Sequence, residues 1–87
     1  MTERTLVVTD TVTGRGKGVL LLPKLIATPT QPRGSFVARL TSGDAPPREV
    51  VAQLEVSHVR GPLPPFALVR LVELAEVPVG AVLAWDE

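Results

Sequence analysis

The stretch TVTGRGKGVLLLPKL, Thr11 to Leu25, sets Gly14, Gly16 and Gly18 around the cations Arg15 and Lys17, between two runs of branched apolar residues. Glycines next to a cation are the ingredients of a phosphate-cradling loop, but the spacing does not make one. A Walker loop places four residues between its first glycine and the Gly-Lys pair, then continues into Ser or Thr at the start of a helix. Here Gly14 and Gly16 stand too close, Gly18 follows Lys17, and a strand pattern comes next. A dinucleotide fingerprint fails as well, because no helix N-terminus is on hand to receive a pyrophosphate. The glycines read as a tight turn or bulge between strands, where positive φ is needed.

The remaining chemistry-bearing residues do not assemble either. His58 is the only histidine and cysteine is absent, which excludes a histidine cluster, a thiolate metal site and a disulfide scaffold. Ser57 adjoins His58, yet successive strand residues point to opposite faces and cannot form a nucleophile–base pair. His58 therefore reads as a structural or partly exposed residue near a strand end. Asp10 stands alone on an apolar strand face, and Glu73 and Glu76 read as solvated. The chain is accordingly expected to be no enzyme, with no cofactor, metal or small-molecule substrate. Arg15, Lys17, Lys24, Arg33, Arg39 and Arg48 fall on or near turns and strand ends of the first half. Small barrels bind single strands through such a basic groove when aromatic rings stack the bases. Phe36, Phe66 and Trp85 are the only rings here, and the core has first claim on them.

Composition sets the frame for these residues. The chain has 87 residues, 45% hydrophobic and 21% charged, which fits one globular domain spanning 1–87 with a modest core of Val and Leu. Nine prolines and seven glycines imply many turns. Net charge is zero but uneven: eight cations face five acids through Arg60, and one cation faces four acids from Gly61 onward. A neutral total argues against a strong phosphate-tracking surface, which needs several Lys or Arg on one face. No signal-peptide pattern opens the sequence and no apolar run approaches the length of a membrane span, so a cytoplasmic protein without membrane contact is expected.

Strand signals dominate the chain. Arg4–Val12 is rich in β-branched residues and alternates, with Leu6, Val8 and Val12 on one side. Gly18–Ile26 is an apolar run in which Pro23 removes a ladder donor, so the strand lies at an edge, ends or bulges there. Ala27–Gly34 is turn chemistry. Ser35–Leu40 alternates, Thr41–Pro47 reads as a hairpin connection with Gly43–Asp44 at its tip, and Arg48–Arg60 is the longest period-two run. Phe66–Leu74 suits either a helix or a strand, and the β-rich context favours the strand. Val77–Gly80 lies in a turn before a last strand, Ala81–Asp86. Five or six short strands without a confident helix predict an all-β fold: a small closed or nearly closed antiparallel barrel of about six strands.

Taken in order, DTVTGRGKGVLL, REVVAQLEVSHVRG and FALVRLVELAEVPVGAVLAWDE resemble the second domain of the translation GTPases, the β-barrel of the elongation factor Tu type. The likeness runs from about Leu6 to Asp86. Its most specific elements are Gly14-Arg15-Gly16, which in that family joins the first two strands, and the closing Val79-Gly80-Ala81-Val82-Leu83-Ala84. The segment LPKLIATPTQPRG is longer and more proline-broken than the family pattern. A phosphate loop, switch segments and a guanine-reading motif are all missing, so the resemblance implies a scaffold and not GTP hydrolysis. In the family this barrel packs on neighbouring domains and helps to hold the aminoacyl end of tRNA.

The expected function is a non-catalytic barrel that docks a protein partner or associates with itself: the apolar inventory is large for so small a chain, and any Val and Leu that one barrel does not bury mark an interface. Arg15, Lys17, Arg39, Leu63 and Phe66 are the candidate partner-binding residues. The proline-flanked segment RGPLPPFALVRL leads among them, as an extended strand able to pair with another chain. The rival expectation is an RNA- or ribosome-associated accessory barrel that uses Arg15, Lys17 and Arg39.

Overall fold

A computed structural model describes residues 2–13, 18–28, 31–57, 61–62, 65–74 and 76–87. Their regular structure is all β: β1 (Glu3–Val7), β2 (Asp10–Val12), β3 (Val19–Ile26), β4 (Ser35–Thr41), β5 (Arg48–Ser57), β6 (Phe66–Leu71) and β7 (Val82–Asp86). All ladders are antiparallel, and the strands lie in the order β1-β7-β4-β5-β6-β3-β2. The sheet curls into an open half-barrel of seven strands, which corrects the closed form and the count of about six expected above. Among the described residues no helix is long and apolar enough to cross a membrane.

The reason for the open form lies in the first extended segment. Its residues serve both edges of the sheet. Val8 faces β7, donating its N–H to Ala81 O at 2.9 Å and accepting from Gly80 N–H at 2.7 Å. Successive strand residues send their N–H and C=O groups to opposite sides, and Thr9 accordingly donates to Leu22 O at 2.9 Å on the β3 side. From that crossing β1 runs along β7 alone, whereas β2 pairs only with Leu20–Leu22 of β3. The second half of β3 pairs with β6 alone, through Leu25↔Ala67 and Ile26↔Phe66. A seam is thus left in the wall between β1 and the end of β3.

The crossing also explains a shift of faces. Leu6 and Val8 are buried as the alternation predicts, but Val12 lies 48% exposed opposite Leu20. One residue of phase is lost around Thr9–Asp10, which turns Thr11 toward buried Leu21 and sends Asp10 and Val12 outward. At Pro23 the register shifts between Leu21 and Leu25, the bulge among the three outcomes its missing donor allowed.

The concave face carries the core: Leu6, Val8, Val19, Leu21, Ala38, Leu40, Val50, Ala52, Val69, Leu71, Leu83 and Trp85. Trp85 is fully buried, with Phe36 tilted against it at a centroid separation of 5.8 Å. Phe66–Leu71 is a strand, burying Ala67, Val69 and Leu71 and turning Leu68 and Arg70 outward. The expected hairpin joins β4 to β5, with Gly43 at φ +58° and Ala45 N–H donating to Ser42 O at 3.2 Å. Thr2 and Glu87 exchange both backbone hydrogen bonds, at 3.1 and 2.8 Å, so the two ends of the sheet's first and last strands lie side by side.

Among the described glycines, Gly18 is the one whose missing side chain the packing itself demands. Its φ is +87°, and a Cβ there would run into the Leu71 carbonyl oxygen and come within 2.8 Å of Val72 Cα. Both obstacles are backbone, at the end of β6 and at the residue that follows it. Gly18→Ala should lower unfolding free energy by about 3 kcal/mol or more in a urea titration. Gly43→Ala, which meets nothing within 4 Å, should cost only about 1 kcal/mol. Equal losses at the two positions would show that the Gly18 approach is not tight.

Candidate functional site

Two surfaces concentrate the unusual side chains: the seam at one end of the half-barrel, and the convex face of the sheet. At the seam Arg4 points inward from β1, paired in register with Trp85. Its Nη1 donates to Glu87 Oε1 at 3.1 Å and its Nη2 to Ile26 O at 2.6 Å, at the far side of the opening. Trp85 Nε1 donates to the same Glu87 oxygen at 3.2 Å, and Thr28 Oγ1 donates to the other at 3.1 Å. One carboxylate therefore ties together β1, β7 and the chain leaving β3. A side-chain bridge stands where a closed barrel would have a backbone ladder.

The Glu87 side chain is only 7% exposed and Arg4 19%. Burial works to raise the Glu87 pKa. The hydrogen bonds from Arg4, Trp85 and Thr28, together with the Arg4 charge, outweigh it and hold the carboxyl below its ordinary 4.5.

Antiparallel sheets usually turn a polar face to water. The convex face here does not follow that pattern. Apolar residues stand directly opposite one another in three cross-strand pairs, Val7–Val82, Val37–Val51 and Val12–Leu20. Val7 and Val37 are 55% and 56% exposed. The cations around them are occupied. Arg39 contacts Glu3 at 3.1 Å and Asp86 at 3.6 Å, and Arg70 Nε donates to Glu55 at 2.6 Å.

The structure places two of the five candidate partner-binding residues. Arg39 sits on the convex face between the first two valine pairs, its charge matched by two acids. Phe66 is half-buried with the Lys24 ammonium 4.7 Å above its ring. Arg15, Lys17 and Leu63 lie outside the described residues, as does His58. The Arg4–Glu87 bridge was missed by sequence reasoning, and nothing in the sequence marks residues 83 positions apart as partners. The valine pairs were legible as surplus aliphatics, but not as a patch, because register decides which of them meet.

No protein-family model matches the chain, and neither a curated protein nor a solved structure does.

The Glu87 network makes stability depend on pH in a set direction. A carboxyl whose folded pKa lies below its unfolded value stabilises the fold fully above 4.5, and that contribution is lost as pH falls through the lowered value. Glu87→Gln should cost about 2 kcal/mol at neutral pH, because it leaves a largely buried guanidinium without its counter-charge. The gap between the two proteins should begin to narrow below pH 4.5, where the unfolded carboxyl takes up its proton, and close once pH falls through the lowered native value. Denaturant titrations of both across this range provide the check, and a gap that stays constant would refute the assignment.

Proposed function

We propose that this chain is a non-catalytic β module of the kind found as the second domain of translation GTPases, and that it works by docking a protein surface, that of a partner or of a second copy. The observation that carries the reading is the convex face, where three apolar cross-strand pairs each leave one valine, Val7, Val12 or Val37, about half exposed. Aliphatic pairs in such a position are stabilised by a second apolar surface and by little else. The ion pairs beside them point the same way. Arg39 and Arg70 already carry acidic partners, which removes them from the free cations that a phosphate backbone would recruit.

The scaffold half of the proposal is supported by the antiparallel all-β fold, by one N-terminal segment serving two neighbours, and by a last strand that returns to lie beside the first. Gly14-Arg15-Gly16 falls between β2 and β3 in sequence, whereas the family's turn joins the first two strands, and it lies outside the described residues.

Sedimentation velocity on the purified chain tests the docking mode. Association that persists to about 0.5 M salt, and is abolished by Val37→Lys with melting temperature unchanged, is the expected result. Association that dissolves with salt and depends on added RNA would replace this reading with the nucleic-acid one.

A further inference from the structure

The inner face of β5 does not stay buried along its length. Val50 and Ala52 belong to the core, Leu54 is half-covered, and Val56 is 39% exposed although it faces the same way. Its ladder partner Ala67 is fully buried on that side, as is Val69 opposite Leu54. Among the described residues, the concave surface therefore continues past the packed core without an element that covers it. Residues 27–28 and 31–34, between β3 and β4, border this end with β5 around an open cleft of about 570 Å³, with Ala27, Thr28, Arg33, Leu54, Val56 and Pro65 among its lining.

The cleft combines an apolar floor with one unmatched charge. Leu54, Val56, Ala27 and Pro65 offer no polar side-chain group. Thr28 is engaged, its hydroxyl with Glu87 and its N–H with Gln31 Oε1 at 3.1 Å. Arg33 stands exposed at the rim and makes no ion pair or side-chain hydrogen bond among the described residues. It contrasts in this with Arg4, Arg39 and Arg70, which all have acidic partners. Clefts of a few hundred cubic ångströms with an apolar lining and few polar groups are the usual form of binding sites. The polar group here sets the sign of what should enter.

We infer that this cleft takes a short extended polypeptide segment carrying an aliphatic or aromatic side chain beside an acidic residue. The apolar side chain would lie on Leu54 and Val56, and the carboxylate would pair with Arg33 in the bidentate geometry that guanidinium favours. This rests on the protein-docking reading above and gives it a second surface, distinct from the valine pairs of the convex face.

Selection from a displayed library of short random peptides against the full chain is the test. Enriched peptides should pair Leu, Ile, Val or Phe with Asp or Glu. A synthetic copy of the leading peptide, followed by fluorescence anisotropy, should bind about tenfold more weakly to Arg33→Glu and to Val56→Lys. Both positions are partly or fully exposed, and unchanged melting temperatures would confirm intact folds. Enrichment without an acidic bias, or binding indifferent to both substitutions, would overturn the inference. Binding lost on Val37→Lys but kept on Val56→Lys would keep the docking reading and discard the cleft. Failure to enrich any peptide, with convex-face association intact, would discard the cleft alone.

Discussion

Backbone hydrogen bonding at a single crossing point governs this fold. A curled sheet must do something with its two edges, because unpaired N–H and C=O groups cost free energy when covered and invite foreign strands when exposed. Here both edges belong to one extended segment of nine or ten residues, which turns from β7 to β3 at Val8–Thr9. Everything on the concave side follows from that crossing. It fixes Leu6 and Val8 inward, reverses the phase for Val12, and sets the angle at which β1 diverges from the end of β3.

Divergence leaves a gap that the backbone does not span, and charge fills it. Buried ion pairs are weak evidence for stability when they merely replace apolar packing. The Arg4–Glu87 pair is a different case, because it also satisfies the Ile26 carbonyl, the Trp85 indole and the Thr28 hydroxyl. Its contribution is one of position as much as energy: it sets how far the wall stands open, and so bounds the end of the concave surface at which the Arg33 cleft lies. Tight packing at the opposite flank comes from Gly18, whose absent side chain lets β3 approach β6 closely.

Much of the architecture was legible from local pattern. Period-two alternation located β4 and β5, the Gly43–Asp44 tip marked their hairpin, and β-rich surroundings resolved Phe66–Leu71 as a strand. These features are set by neighbours a few residues apart. What escaped the sequence depends on long-range register. Alternation alone put Val12 beside Val8, because a one-residue slip at a crossing leaves no compositional trace. Closure of the barrel rested on the number of short strands and the lack of a helix, a pattern that cannot tell a ladder from a side-chain bridge. Arg39 looked like a free cation in sequence, and only the pairing of β4 with β7 and β1 with β7 brings Asp86 and Glu3 to it.

The mutual hydrogen bonds of Thr2 and Glu87 carry a consequence for the topology of the chain. Neighbouring ends mean that the order in which strands are threaded is separable from the ladders that hold them. A short linker across this junction, with the chain cut at the exposed Gly43–Asp44 turn, would give a circular permutant that keeps every strand pairing. The same adjacency would let the unit sit inside a surface loop of a host protein without prising that loop apart.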